Sequence, residues 1–446
     1  MVRFVLIGII LLAVLALLSG YLSGDISDRY ENSDVTVEPR ENATVVTTSP
    51  RSNSNAAIIG FSPDGSVMYY NETYSYYFDV DPVPGTAATV EYIAVELVQE
   101  NCDFKTRLAG RDGCGRNVVE RVNLSTGETE RLFDWKSRPK DIGGWHDVDR
   151  IDEDRFVVAG STNDRVFVYN TSTGLIEWQW GAQNAFDTSS GGVFPSDWSH
   201  LNDVEHLPDG RVMVSMRNQD QVLFLDPKTG VNESWTLGSD GTHSVLYEQH
   251  NPDFIPAERG GPAVLVADSE NNRIVEYQRT DDGDWERTWL WQEPRLQWSR
   301  DADRLPNGHT LITDSNGNRV LEVDRQGEIV WSLPVDTPYE AERLETGDES
   351  AAGQSAASLG GFESRTASVG DKSDNTYQSM LEVVVPFVKA QLPAIVVNGI
   401  IFLAPPWFGV IHLMALGVLL GALLLWAILE FKWSAYSLRS PLGRSL

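Results

Sequence analysis

Four segments of this chain can be laid on one another, and their spacing limits the fold more than any other feature. They are His146-Asp147-Val148-Asp149-Arg150-Ile151, Asn202-Asp203-Val204-Glu205-His206-Leu207, His250-Asn251-Pro252-Asp253-Phe254-Ile255 and Arg300-Asp301-Ala302-Asp303-Arg304-Leu305. Each leads into a turn, most clearly Pro208-Asp209-Gly210 and Pro306-Asn307-Gly308. A short apolar strand follows (Phe156-Val157-Val158, Val212-Met213-Val214, Val264-Leu265-Val266, Thr310-Leu311-Ile312), then a polar turn and an alternating strand such as Val320 to Val323. A last strand ends on Trp, as at Trp178 and Trp331. From Asp147 to Asp203, Asn251 and Asp301 the period is 56, 48 and 50 residues. Four short antiparallel strands at this spacing are the signature of β-propeller blades. The period-2 strands and the turn residues exclude a helical solenoid. Two more divergent blades are expected in Ala57 to Val80 and Thr89 to Trp135, which predicts an all-β, six-bladed propeller over residues 56–335.

The flanks read differently. Residues 1–23 hold an apolar stretch, Phe4 to Leu22, preceded only by Arg3, which suits a signal anchor or a signal peptide. Residues 24–55 and 336–379 are rich in Ser, Thr, Asn, Gly, Ala and acids, and are expected to be disordered tethers. Residues 380–406, broken by Pro393, Pro405 and Pro406, read as an interfacial or re-entrant segment, and 407–431 as a transmembrane helix. Lys432, Arg439 and Arg444 in the tail 432–446 place the C-terminus in the cytoplasm by the positive-inside rule, and the propeller therefore outside the cell. Five sequons, at Asn42, Asn71, Asn123, Asn170 and Asn232, agree with glycosylation there. The two cysteines, Cys102 and Cys114, lie in one short insertion and are expected to form a disulfide outside the cell.

With 64 Asp+Glu against 35 Lys+Arg, the formal net charge is −29. Nucleic acid is excluded as a partner, because phosphate binding needs a basic face. Such an acidic excess suits molar salt, where the Debye length falls to about 3 Å and self-repulsion is screened; an acidic protein from ordinary salt is the other reading.

The rung that opens each repeat is where the repeat breaks. His146, Asn202, His250 and Arg300 occupy one position, and His200 sits two residues before Asn202. Packing keeps repeated residues alike, so a ring of differing polar groups at the channel end points to a site, with a satisfied polar lumen as the alternative. The Asp residues that follow, Asp147, Asp203 and Asp301 with Asn251, do repeat and are expected to bond backbone amides. Arg217 stands where the other blades have Ser161, Ser269 and Ser315, so the repeat does not demand it. It could hold an anion. His309 reads as a surface residue after a hairpin turn, Arg165, Arg273 and Arg319 as structural, and Trp178, Trp235, Trp291 and Trp331 as packing between blades. No phosphate loop, nucleophile elbow, zinc motif or EF-hand loop is present, and no metal or other cofactor is expected.

Trp145-His146-Asp147, Ser199-His200-Leu201-Asn202 with Arg217 downstream, Gln249-His250-Asn251 and the Leu-Pro-Asn-Gly and Asp-Ser-x-x-Asn-Arg signatures resemble the arylsulfotransferase family of propeller enzymes. The likeness covers about His146 to Trp331. It implies transfer of a sulfuryl group from an aryl sulfate ester to a phenolic or other hydroxyl acceptor, through a sulfohistidine at His250. It further implies that His146, His200, Asn202 and Arg217 bind sulfuryl oxygens or handle protons; Arg300 is a further candidate for substrate binding. A non-catalytic propeller that binds glycans or proteins at the cell surface is the second reading.

Overall fold

The computed structural model describes residues 2–22, 37–50, 55–98, 106–108, 111–137, 144–293, 296–366, 392–404, 408 and 410–433. Six sheets, antiparallel except for a short parallel edge pair at Arg365–Thr366, form six propeller blades, as the spacing predicts. Numbered along the chain, their inner strands are Pro338–Arg343 (blade I), Tyr76–Pro82 (II), Asp147–Arg150 (III), Leu201–His206 (IV), His250–Ile255 (V) and Ser299–Arg304 (VI). The apolar core is divided among the blade interfaces. One buried cluster lies between each neighbouring pair, for instance Val157, Ala159 and Val166 against Val204, Val214 and Leu223. The alternate residues Phe156 and Val158 pack the other way, onto blade II. Both faces of a blade are thus covered, which is why its second strand reads as a continuous apolar run.

Inner-strand carboxylates stitch the blades together. Asp79 accepts the N–H of Val148 at 3.2 Å, Glu205 that of Phe254 at 2.8 Å, Asp301 that of Ala341 at 3.1 Å and Glu340 that of Val80 at 3.0 Å. Asp147 does the same for Val204 and Asp149 for His206. Asp147 and Asp301 thus play the backbone-bonding role expected of the repeated position; Asn251 instead donates its amide to Glu340 at 2.9 Å, and Asp203 faces Pro252, which has no N–H to offer. Arg273 and Arg319 close local turns on Asp268 and Asp314, at 2.6 and 2.8 Å. Trp178 and Trp291 donate their indole N–H groups to the next blade, at Pro227 and Gly327, both at 2.9 Å.

Three boundaries differ from expectation. Blade I is built from Thr44–Thr48, Ile58–Phe61 and Val67–Asn71 with Pro338–Arg343 innermost, so both expected tethers enter the propeller. Tyr76 already opens blade II, so the expected Ala57–Val80 unit spans two blades. The segment after Arg343 stays on the channel: Arg304 N–H donates to Ser350 Oγ at 2.7 Å and Ala356 N–H to Glu276 at 2.8 Å. Its linker-like composition has a packing cause. A Cβ on Gly353 would lie 2.1 Å from the Arg304 carbonyl oxygen, so this stretch lies too close to blade VI for larger side chains. His309 is half-buried and pairs with Glu322 at 2.6 Å, not a surface residue.

Two helices are long and apolar enough to cross a membrane: α1 (Val2–Leu22) and, near the other end, Val410–Trp433. Between them lies a ten-residue apolar helix, Ala394–Leu403, here α2, which makes the longer C-terminal helix α3. Arg3 pairs with Glu430 at 2.6 Å, so α1 and α3 meet antiparallel. Cys102 lies outside the described residues; Cys114 is buried in the strand Arg111–Asn123. Asn42, Asn71, Asn123, Asn170 and Asn232 are all partly exposed.

Burial raises the channel carboxyls: Asp147, Asp301 and Asp348 to about 7, and Asp149, with Asp348 beside it, to about 8. A folded-state value above the unfolded one stabilises the fold while the group is protonated, and that stabilisation is lost as pH rises through the folded value. The melting temperature is therefore expected to fall from about pH 4, where the unfolded carboxyls ionise, to about pH 8, and to level off above it. Asp149→Asn keeps the acceptor for His206 and removes one such proton. It should flatten the loss between about pH 4 and pH 8 by about 1.4 kcal/mol per pH unit, read by denaturant titration at each pH.

Candidate active site at the channel mouth

Each blade brings a different group to one end of the channel. Blade III supplies His146, blade IV His200 and Arg217, blade V Glu248, His250 and Glu270, and blade VI Trp298 and Arg300. Phe78 of blade II and Tyr339 of blade I complete the wall of a cavity of about 850 Å³. Ile395, Gly399, Phe402 and Leu403 of α2 border it as well. Of the residues expected from sequence, His146, His200, Arg217, His250 and Arg300 meet here. Asn202 does not line the cavity: it is buried in a bulge of its strand, and its amide donates to the Gln249 carbonyl at 3.0 Å. It therefore fixes the backbone just before His250.

The His250 ring is buried, with Nδ1 2.8 Å from Ser269 Oγ. That hydroxyl is also within reach of the Ala267 carbonyl at 3.2 Å; when it donates there it accepts from Nδ1–H, the tautomer in which Nε2 keeps its lone pair. Burial, followed by Arg217, Arg300, His200 and His146, pushes the imidazole well below the ordinary histidine value. It is neutral at neutral pH. His200 packs edge-on against His146, ring centroids 5.1 Å apart, and its Nδ1 lies 2.6 Å from Asp197. Burial and Arg217 lower its proton affinity, with Asp197 acting in opposition. His146 stacks on Phe78 at 4.5 Å.

Arg217 is ion-paired to Glu248 and donates to Asn218 at 2.8 Å. Arg300 donates to Ser49 and lies against Trp298, Tyr339 and Phe402, at 4.4, 4.7 and 5.4 Å from their centroids. Burial lowers its guanidinium to about 10. The Nε–H groups of both arginines are buried without a hydrogen-bond partner among the described residues. Unused buried donors on two cations beside a neutral imidazole form a receptor for a tetrahedral anion.

Sequence reasoning missed Glu248, Trp298 and Glu270. Glu248 and Trp298 stand two residues before their rungs, as His200 does, and all three have left-handed backbone, with φ of 45°, 55° and 45° for Glu248, Trp298 and His200. Blade III has Gly144 there, where a Cβ would lie 1.8 Å from Asn117 Oδ1. A second position that changes from blade to blade was thus readable two residues upstream of the first. Glu270 likewise replaces the Thr162, Asn218 and Asn316 of the other blades. Burial raises it to about 7, against the hydrogen bond from Asn398 of α2 at 3.0 Å. Among the described residues, the side-chain groups close enough to share an ion are channel carboxylates (Asp79, Asp81 and Glu340; Asp253, Asp301 and Asp303), and the site histidines are not among them.

Residues 138–335 match the arylsulfotransferase (ASST) family model. The matched stretch holds every site histidine and both site arginines, and omits blades I and II and α2. No curated protein matches the chain. Solved structures similar to it include a putative 6-phosphogluconolactonase from Bacteroides fragilis (11% identity, 70% of this chain and 99% of that one, TM-score 0.45). Others are the periplasmic gluconolactonase of Pseudomonas aeruginosa (13%, 68% and 99%, TM-score 0.44) and virginiamycin B lyase from Staphylococcus aureus (12%, 56% and 76%, TM-score 0.33).

The two roles separate by titration with inorganic sulfate. Arg217→Met should weaken sulfate binding by about tenfold or more, the loss of one charge-assisted contact. Asn202→Ala, whose amide is turned to a backbone carbonyl, should leave the affinity within about threefold in isothermal titration calorimetry.

Proposed function

We propose that this protein transfers a sulfuryl group from an aryl sulfate ester to a phenolic or other hydroxyl acceptor, with His250 as the transient carrier. The observation that carries this reading is the neutral His250 imidazole, its Nδ1 engaged by Ser269, set among two arginines and two further histidines. The match to the arylsulfotransferase family model over the same residues supports it.

In the first step the Nε2 lone pair attacks sulfur, an N–S bond forms and the S–O bond to the phenol breaks. The sulfuryl oxygens rest on Arg217 and Arg300, whose positions are fixed before the substrate arrives. The departing phenolate takes a proton from His200, which Asp197 orients. An arriving ester anion offsets the nearby Arg217 charge and so favours the protonated ring. In the second step His200 takes the proton of the acceptor hydroxyl, whose oxygen attacks sulfur as the N–S bond breaks. His146, packed edge-on against His200, holds that ring in place for the transfer. Splitting one displacement into two predicts ping-pong kinetics.

We further propose that the propeller lies outside the cell, with both chain ends on the cytoplasmic side. The pairing of Arg3 with Glu430 supports this, because it puts the start of α1 beside the end of α3. The −29 charge supports work in concentrated salt.

The test is single-turnover capture. Full-length protein in molar salt, mixed with para-nitrophenyl sulfate and no acceptor, should release about one equivalent of nitrophenolate and gain one SO3 on the His250 peptide. His250→Ala should abolish both. Because His250 is held below the ordinary histidine value, the capture should not titrate near pH 6.5 with the His250 imidazole. Folded protein that neither releases nitrophenolate nor becomes modified would overturn the reading.

A further inference from the structure

The helix α2 has no polar face. Its sequence, Ala-Ile-Val-Val-Asn-Gly-Ile-Ile-Phe-Leu, contains one polar side chain, Asn398, and that residue is buried. Val397, Asn398 and Ile401 form the face held by the propeller. Asn398 donates to Glu270 at 3.0 Å and its carbonyl accepts from Asn316 at 3.2 Å. A second stripe, Ile395, Gly399 and Phe402, borders the cavity, with Phe402 edge-on to Trp298 at 4.9 Å. The third face carries Val396, Ile400 and Leu403, all exposed. A surface helix in water turns charged or polar residues outward; one that is apolar on every face belongs against lipid.

Two further observations name what covers that face. The apolar, membrane-length α3 begins seven residues after α2 ends. On a different blade, the loop carrying Val193 and Phe194 exposes both side chains, and Val193 borders the same cavity. Apolar groups from two separate rim elements therefore stand exposed around one opening, beside a membrane-length helix. In concentrated salt, where charge attraction is screened, such groups can still hold a protein to a bilayer.

We propose that α2 and the Val193–Phe194 loop seat the cavity mouth in the outer leaflet of a bilayer, and that the hydroxyl acceptor is an amphiphile drawn from that leaflet. Its apolar body runs along Ile395, Gly399 and Phe402 while its hydroxyl reaches His250. The acceptor class rests on the sulfuryl-transfer reading; the seating of α2 does not.

The test uses full-length protein reconstituted in phosphatidylcholine vesicles, with water-soluble para-nitrophenyl sulfate as donor. Acceptors are phenol and a long-chain alkylphenol carried in the bilayer. The alkylphenol should be sulfated with kcat/KM about tenfold or more above phenol, the partition gain of a few buried methylenes. A Phe194→Ser, Val396→Asn, Ile400→Asn variant, altered only outside the cavity, should keep phenol turnover and lose that preference. Equal use of both acceptors, or a variant that keeps the preference, overturns the acceptor class. Photolabelling from a diazirine-bearing lipid gives the second measurement: it should mark α2 and the 193–194 loop as well as α1 and α3. Labelling confined to α1 and α3 overturns the seating, whatever the turnover. If α2 is labelled but neither acceptor is sulfated and no nitrophenolate is released, the seating stands, and the sulfuryl-transfer reading falls together with the acceptor class.

Discussion

Closure of the ring in blade I is the constraint on which the rest of the structure depends. The strand Pro338–Arg343, from beyond the last full repeat, pairs with Thr44–Thr48 from before the first. That pairing closes the channel. It sets Tyr339 against Arg300, brings Ser49 to the Arg300 guanidinium, and supplies Glu340 to the Val80 amide. Two of the walls of the cavity are thus built by segments some 290 residues apart in sequence, and the site is a consequence of the closed ring, not of any single blade.

The repeat was legible because each blade solves the same packing problem. An inner strand offers a carboxylate to its neighbour's amide, as Asp147 and Asp301 do, and a second strand must be apolar on both faces, so the acidic positions and the Val and Leu runs that follow them recur. The rung was legible for the opposite reason: His146, His250 and Arg300 differ where packing would keep them alike, and all three reach the cavity. Blade I was not legible. Its inner strand, Pro-Tyr-Glu-Ala-Glu-Arg, lacks the Asp-x-Asp pattern, and the small residues that follow it look like a tether because they fit against the channel. Asn202 was legible as a break in the repeat but not in its role. It occupies the same bulge position as Arg300, but its short amide reaches only the Gln249 carbonyl beside it, where the longer Arg300 side chain reaches the cavity.

The left-handed residues show how local strain and site geometry are joined. His200, Glu248 and Trp298 each carry a positive φ, a conformation that costs on the order of 1 kcal/mol or more for such side chains. The bend turns a side chain two residues before the rung onto the same cavity as the rung itself. Blades V and VI thereby contribute pairs of groups to the cavity, Glu248 with His250 and Trp298 with Arg300, while blade IV presents His200 and turns Asn202 to the Gln249 carbonyl. Packing between blades, not local preference, holds these residues in place.

A basic pocket inside a protein of charge −29 requires that the nearest acids not cancel it. Molar salt cannot arrange this, since it screens exposed charges far better than buried ones. The channel acids are instead held by backbone amides and by protons. Burial lifts Asp147 and Asp301, directly beneath His146 and Arg300, to about 7, so near neutral pH they carry only part of their formal charge. The same burial that neutralises these carboxyls also strips His250 of its proton, while Arg217 and Arg300, with far higher intrinsic proton affinity, stay charged. Desolvation at the centre of the ring therefore leaves partly protonated channel acids and a neutral His250 imidazole, while Arg217 stays paired with Glu248 and Arg300 keeps its charge. That pattern suits the anionic ester proposed above.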